Sequence, residues 1–178
     1  MKTSCTIFGN GNIDKLPDYD FEHSFAINAA TQKYRTKFAF SGHDNWITKI
    51  VADHSHCLIT PIPTFEGKYP SVDCFDYILH EQEYSRGDYD DDFVRYYFQR
   101  AIKKADIPYP NRFTALHLVI WYAILNNYTE IDLYGCRHDY DKIESECEYN
   151  KAIAPEMRKF TAAMIRIAPE FGIKINWH

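Results

Sequence analysis

The sequence predicts an α/β protein: a mostly parallel, twisted, Rossmann-like sheet with helices on both faces, built as a single domain. Three observations predict it. Short β-branched and aromatic runs alternate along the chain with stretches of helical periodicity. The first run, Cys5-Thr6-Ile7-Phe8, stops at Gly9-Asn10-Gly11-Asn12, as a buried strand does when it ends in a tight turn. At 178 residues and 46% hydrophobic content, the chain fits one domain, residues 1–178, with a substantial core.

The elements follow in order. After the first turn, Ile13 to Glu22 carries Pro17 and several acids and reads as a loop or short helix over the strand end. Ser24–Asn28 is a second strand that ends on an asparagine, and Lys37–Gly42 is a third, halted by glycine. Trp46–Val51 follows as a helix with Asp44 or Asn45 at its N-cap. Cys57–Thr60 is a fourth strand, stopped by Pro61 and Pro63. Residues 61–88 lack periodicity and read as an irregular insertion or cover.

A helix is predicted from Asp90 to Ala105. Its acidic start (Asp90, Asp91, Asp92) and basic end (Lys103, Lys104) match the macrodipole, and Phe93, Tyr97, Ala101 and Ala105 form an apolar stripe. Thr114–Asn127 is apolar nearly all round, which predicts a helix buried on most sides. It turns at Asn126-Asn127 into the strand Glu130–Tyr134, which ends at Gly135. Asn150–Ala168 gives the cleanest helical pattern, through Met157, Phe160, Thr161, Met164, Ile165 and Ala168, with Pro155 suiting its first turn and Gly172 just past its end. Ile173, Ile175 and Trp177 alternate in a last strand. No repeat or low-complexity segment appears.

Composition narrows the function. A net charge of −5 without a Lys/Arg block argues against a nucleic-acid partner. Five cysteines, odd in number and without a C-x-x-C pair, read as reduced thiols in a cytoplasmic protein. No n-region plus apolar h-region opens the chain, so no secretory signal is expected, and no apolar run reaches the roughly 18 residues of a membrane span. Whether the chain forms a homo-oligomer stays open.

Chemistry concentrates at the turns. Two glycines around Asn10 let backbone N–H groups approach a ligand, and the loop leaving the C-terminal end of a strand is where open α/β sheets bind. His54 and His56 alternate beside Cys57, with His43-Asp44 earlier, but no further ligand stands at metal-site spacing; no metal and no cofactor are expected. The Asp90–Asp92 cluster is explained by helix-start charge. His117, on the buried helix, reads as a satisfied core histidine, and Cys136 as a buried inert thiol.

These residues form an ordered series: Gly9-Asn10-Gly11, then Phe25-Ala26-Ile27-Asn28, then Phe113-Thr114-Ala115 opening a buried helix, then Glu130-Ile131-Asp132-Leu133-Tyr134-Gly135. The series resembles the bacterial CMP-sialic-acid-dependent sialyltransferases of glycosyltransferase family 42. It also resembles a related group of unknown function that includes a pterin diphosphokinase. The likeness spans residues 5–28 and 111–178.

The resemblance implies a nucleotide-sugar-dependent glycosyltransferase-like protein whose partner is a nucleotide or nucleotide sugar. It implies nucleotide contacts at Gly9, Asn10, Gly11, Asn28, Thr114, Ala115 and Gly135. The Thr114 helix start would face a phosphate, which a helix N-terminus favours, with Arg137 adding charge. His138, as base, and Tyr140 are the catalytic candidates. The chain departs from the family where Pro-Ser becomes Asn12-Ile13, where the helix start lacks its glycine, and where the lid before the last helix is short, with His138 its sole histidine. That departure favours an alternative from another class, a non-catalytic binder of a nucleotide or nucleotide-derived signal. A structural protein with a decayed site is a third reading. The base, the sugar and the acceptor are not legible.

Overall fold

The computed structural model describes residues 4–41, 44–53, 57–60, 72–74, 90–103, 114–138 and 148–178. Seven strands form one sheet: β1 (Ser4–Phe8), β2 (Ser24–Ile27), β3 (Phe38–Phe40), β4 (Cys57–Thr60), β5 (Val72–Cys74), β6 (Glu130–Tyr134) and β7 (Lys174–Trp177). Their spatial order is β5-β4-β3-β2-β1-β6-β7, and every neighbouring pair is parallel. Among the described residues four α-helices accompany them: α1 (Asp44–Asp53), α2 (Asp91–Ile102), α3 (Ala115–Leu125) and α4 (Glu148–Ile167).

The order explains which helix covers which face. From β1 to β5 the chain steps across the sheet in one direction; at β6 it returns to the far side of β1 and continues outward to β7. Parallel crossovers keep one hand, so reversing the direction moves the connections to the opposite face. On one face Cys5, Ile7, Phe25, Ile27, Ile131, Leu133 and Ile175 pack in one core with the buried sides of α2, α3 and α4. On the other, Ala39 and Leu58 meet Ile47 and Ile50 of α1, while Phe8 and Ala26 pack with Ala30, Ile13, Tyr19, Tyr34 and Tyr134. Residues of even and odd number along β1 thus serve different cores, as the period of a strand requires.

Several boundaries move. Val72–Cys74 lies within the stretch read as irregular, yet it pairs with β4 as the edge strand. Three residues show no periodicity, so only pairing reveals them. Pro155 sits inside α4, which starts at Glu148, and so lies beyond the first turn rather than in it. A short 3-10 turn, Ala168–Phe171, ends that helix at Gly172, whose φ of 70° is left-handed. Asn127 turns at φ 66° between α3 and β6. Asp90 caps α2, its carboxylate accepting from the Phe93 N–H at 2.8 Å. His43, His54, His56 and Tyr140 lie outside the described residues.

Candidate functional site

Reversal of the chain between β1 and β6 makes that gap the topological switch point, and in open α/β sheets ligands bind outside the C-terminal strand ends there. Gly9–Asn12 leaves β1 at this edge, Asn28 leaves β2 beside it, and Gly135–His138 leaves β6 on its other side. α3 feeds β6 through a short turn and runs back against the strands, so its Thr114 start reaches the same edge. All described candidates therefore share one edge of one sheet.

The glycines are held by packing between backbones. The Gly9 N–H donates to the Tyr134 carbonyl at 2.8 Å and the Gly11 N–H to the Gly135 carbonyl at 2.9 Å. A Cβ on Gly11 would come within 2.7 Å of that carbonyl oxygen, and one on Gly9 closer still. Gly135 itself has φ +63°, and a Cβ there would lie 2.9 Å from the Gly11 oxygen. The Gly-Asn-Gly turn is thus required by its fit to the β6 loop, independently of any ligand.

Asn10 and Asn28 stand apart. Phe8 and Ala26 are the last paired residues of β1 and β2, and each asparagine stands two residues beyond that pair. Asn28 takes φ 49°, a left-handed conformation that asparagine tolerates. Each side chain has its Oδ1 buried without a hydrogen-bond partner among the described residues. Turning either amide over would bury its NH2 there instead, so the polar vacancy belongs to the position. Beside them, exposed Lys33 donates from Nζ to the Asn10 carbonyl at 3.0 Å.

On the other side of the switch point a buried chain of hydrogen bonds ties α3 to the β6 loop. Thr161 on α4 donates its hydroxyl proton to the Met157 carbonyl at 3.0 Å. The same oxygen lies 2.9 Å from His117 Nε2 and 3.4 Å from His138 Nε2. With the hydroxyl proton given to Met157, the Thr161 oxygen can accept from His117 Nε2–H. His117 Nδ1 is then an acceptor, and the Thr114 backbone N–H donates to it at 3.3 Å, completing a capping box with histidine in the glutamate's place. His117 is a satisfied core histidine.

This setting decides what His138 can do. It takes φ 55°, is 5% exposed, and its carbonyl accepts from Arg158 Nη1 at 3.1 Å. Burial, and then the Arg158 charge, push its pKa down to about 4. A neutral imidazole of that pKa is a weak general base. Cys136 is 5% exposed, and burial raises its thiol to about 12, so it is not a thiolate at neutral pH. Arg137 is exposed and donates from Nε to the His178 carbonyl at 3.2 Å. Ala115 opens the first turn of α3 as expected. Among the described residues no group of three or more His, Cys, Asp or Glu could hold a metal.

Two residues of this edge, Lys33 and Thr161, did not stand out in the sequence as candidates. Thr161 had a signal, a lone hydroxyl on the buried stripe of α4. Lys33 had none, because its position depends on the left-handed turn at Asn28. Comparison with protein-family models, curated proteins and solved structures finds no match to this chain.

Proposed function

We propose that this edge binds a nucleotide or nucleotide sugar, in a glycosyltransferase-like protein of the cytoplasm. One observation carries the reading: the buried, unsatisfied acceptors of Asn10 and Asn28, each just past the C-terminal end of one of two adjacent strands. A buried acceptor without a donor costs about 1–3 kcal/mol. Ribose or sugar hydroxyls and base amino groups are the donors that would satisfy it. The first turn of α3, with amides that no helix can satisfy internally, suits the phosphate.

Between transfer and capture, the burial and low pKa of His138 favour capture without turnover. The transfer reading keeps the support of the ordered motif series, with Tyr140 as its remaining catalytic candidate.

A thermal-shift series with nucleoside monophosphates and nucleotide sugars tests binding. At about a hundredfold excess over Kd a ligand adds about 2.7 kcal/mol, or roughly 5–10 °C for a domain of this size. Asn10→Ala is expected to abolish the shift without lowering the melting temperature of the free protein, since it deletes an unsatisfied group. A shift that survives both Asn10→Ala and Asn28→Gly puts the ligand elsewhere. Release of free nucleotide from a nucleotide sugar would decide for transfer.

A further inference from the structure

Two imidazoles converge on one oxygen in the interior. His117 is fully buried, His138 nearly so, and their ring centroids stand 5.7 Å apart. Around them Thr114 faces His117 Nδ1 from the start of α3, Thr161 bridges both rings from α4, and the Phe160 ring lies edge-on to His117 at 4.7 Å. The charged neighbour on α4 is Arg158, whose guanidinium holds the His138 carbonyl. Thr161 thus joins the start of α3 to the loop after β6 from α4.

We propose that His117, Thr161 and His138 form a proton-operated latch, closed while both imidazoles are neutral and opened by protonation of either one. Opening releases the first turn of α3 and the loop after β6 while the sheet stays folded. The proposal does not depend on what the edge binds.

The physical reason is charge. A proton on either ring creates a buried cation against the other imidazole, and one on His138 also stands against Arg158. On His117 it also turns Nδ1 from acceptor to donor, which ends the cap on the Thr114 N–H and turns the ring toward the Thr114 hydroxyl oxygen, 3.1 Å away. Water can relieve this cheaply only by local opening, because both rings sit near the ends of their elements. The sign follows from the depressed pKa values of both rings. The open form binds protons from about pH 6.5 downward, the closed form only near pH 4 for His138. Closure is therefore fully favoured above pH 6.5 and lost progressively as pH falls toward 4.

Hydrogen-exchange protection factors of individual amides, measured at pH 7 and pH 4.5, test the latch. Protection in residues 116–119 and 136–138 is expected to fall by about two orders of magnitude, while that of Ile7, Ile131 and Ile175 holds. His117→Gln supplies the decisive comparison. Glutamine can accept from the Thr114 N–H and donate to Thr161, as in an ordinary capping box, but cannot charge. Combined with His138→Asn, which suits the left-handed backbone, it is expected to keep the latch closed at both pH values. Thr161→Val is expected to weaken it already at pH 7. The proposal is overturned if wild-type protection falls evenly across the sheet and the latch together, or if the double variant loses local protection as the wild type does.

Discussion

Gly135 shows how little room the edge leaves a single residue. It combines a left-handed backbone with two carbonyl oxygens about 3 Å from where a Cβ would stand. Gly172 has a similar φ of +70° but no neighbour within 4 Å among the described residues. Gly172→Ala should therefore cost only the left-handed penalty, roughly 1–2 kcal/mol. Gly135→Ala adds overpacking and should cost roughly 3 kcal/mol or more. Urea unfolding of the two variants measures the difference, and equal losses would mean that the loops are not interlocked. At this scale the sequence announced that Gly9 and Gly11 matter but not why. Their partner, Gly135, lies on the far side of the chain's longest excursion, and no local pattern links them. Asn10 and Asn28 were legible as strand-end asparagines; their unsatisfied oxygens emerged only from packing.

Elements were legible where the physics is local. α2 announces itself through Asp90 at its cap, acids in its first turn and an apolar stripe, and each feature acts within one or two turns of helix. Asp90→Ala should lose the cap and about 1 kcal/mol, lowering the melting temperature by roughly 2–4 °C, while Asp90→Asn should lose less. Calorimetry that finds alanine and asparagine alike would assign Asp90 a charge role alone. α3 was legible as buried because it has no polar face; of its eleven residues only Ala115, Tyr122 and Leu125 are not buried. β5 was illegible because an edge strand of three residues is defined by its neighbour. α4 was misjudged at Pro155 since a proline in a helix usually marks its first turn, and here the helix carries it inside.

For the whole molecule, the α/β class was legible from alternation, but strand order was not, since nothing local tells β6 to return beside β1. That return defines both the switch point and the half-buried face beyond it. Parallel sheets are mostly covered on both sides, yet β6 and β7 alternate apolar and polar like a half-covered sheet. Their outer face is satisfied by cross-strand pairs: Glu130 with Lys174 at 2.9 Å, Asp132 with Asn176 at 2.9 Å, and the Tyr134 ring stacked on His178 at 4.3 Å. Among the described residues no helix is long and apolar enough to cross a membrane. The proposed function puts ligand binding at the C-terminal edge between β2 and β6. Amide chemical-shift mapping during titration with a nucleoside monophosphate tests it most directly. The largest perturbations are expected on Gly9–Asn12, the Asn10 and Asn28 side-chain amides, Ala115, Leu116 and Gly135. Perturbations confined to the opposite edge or to the outer face of β6 and β7, or none at saturating nucleotide, would contradict it.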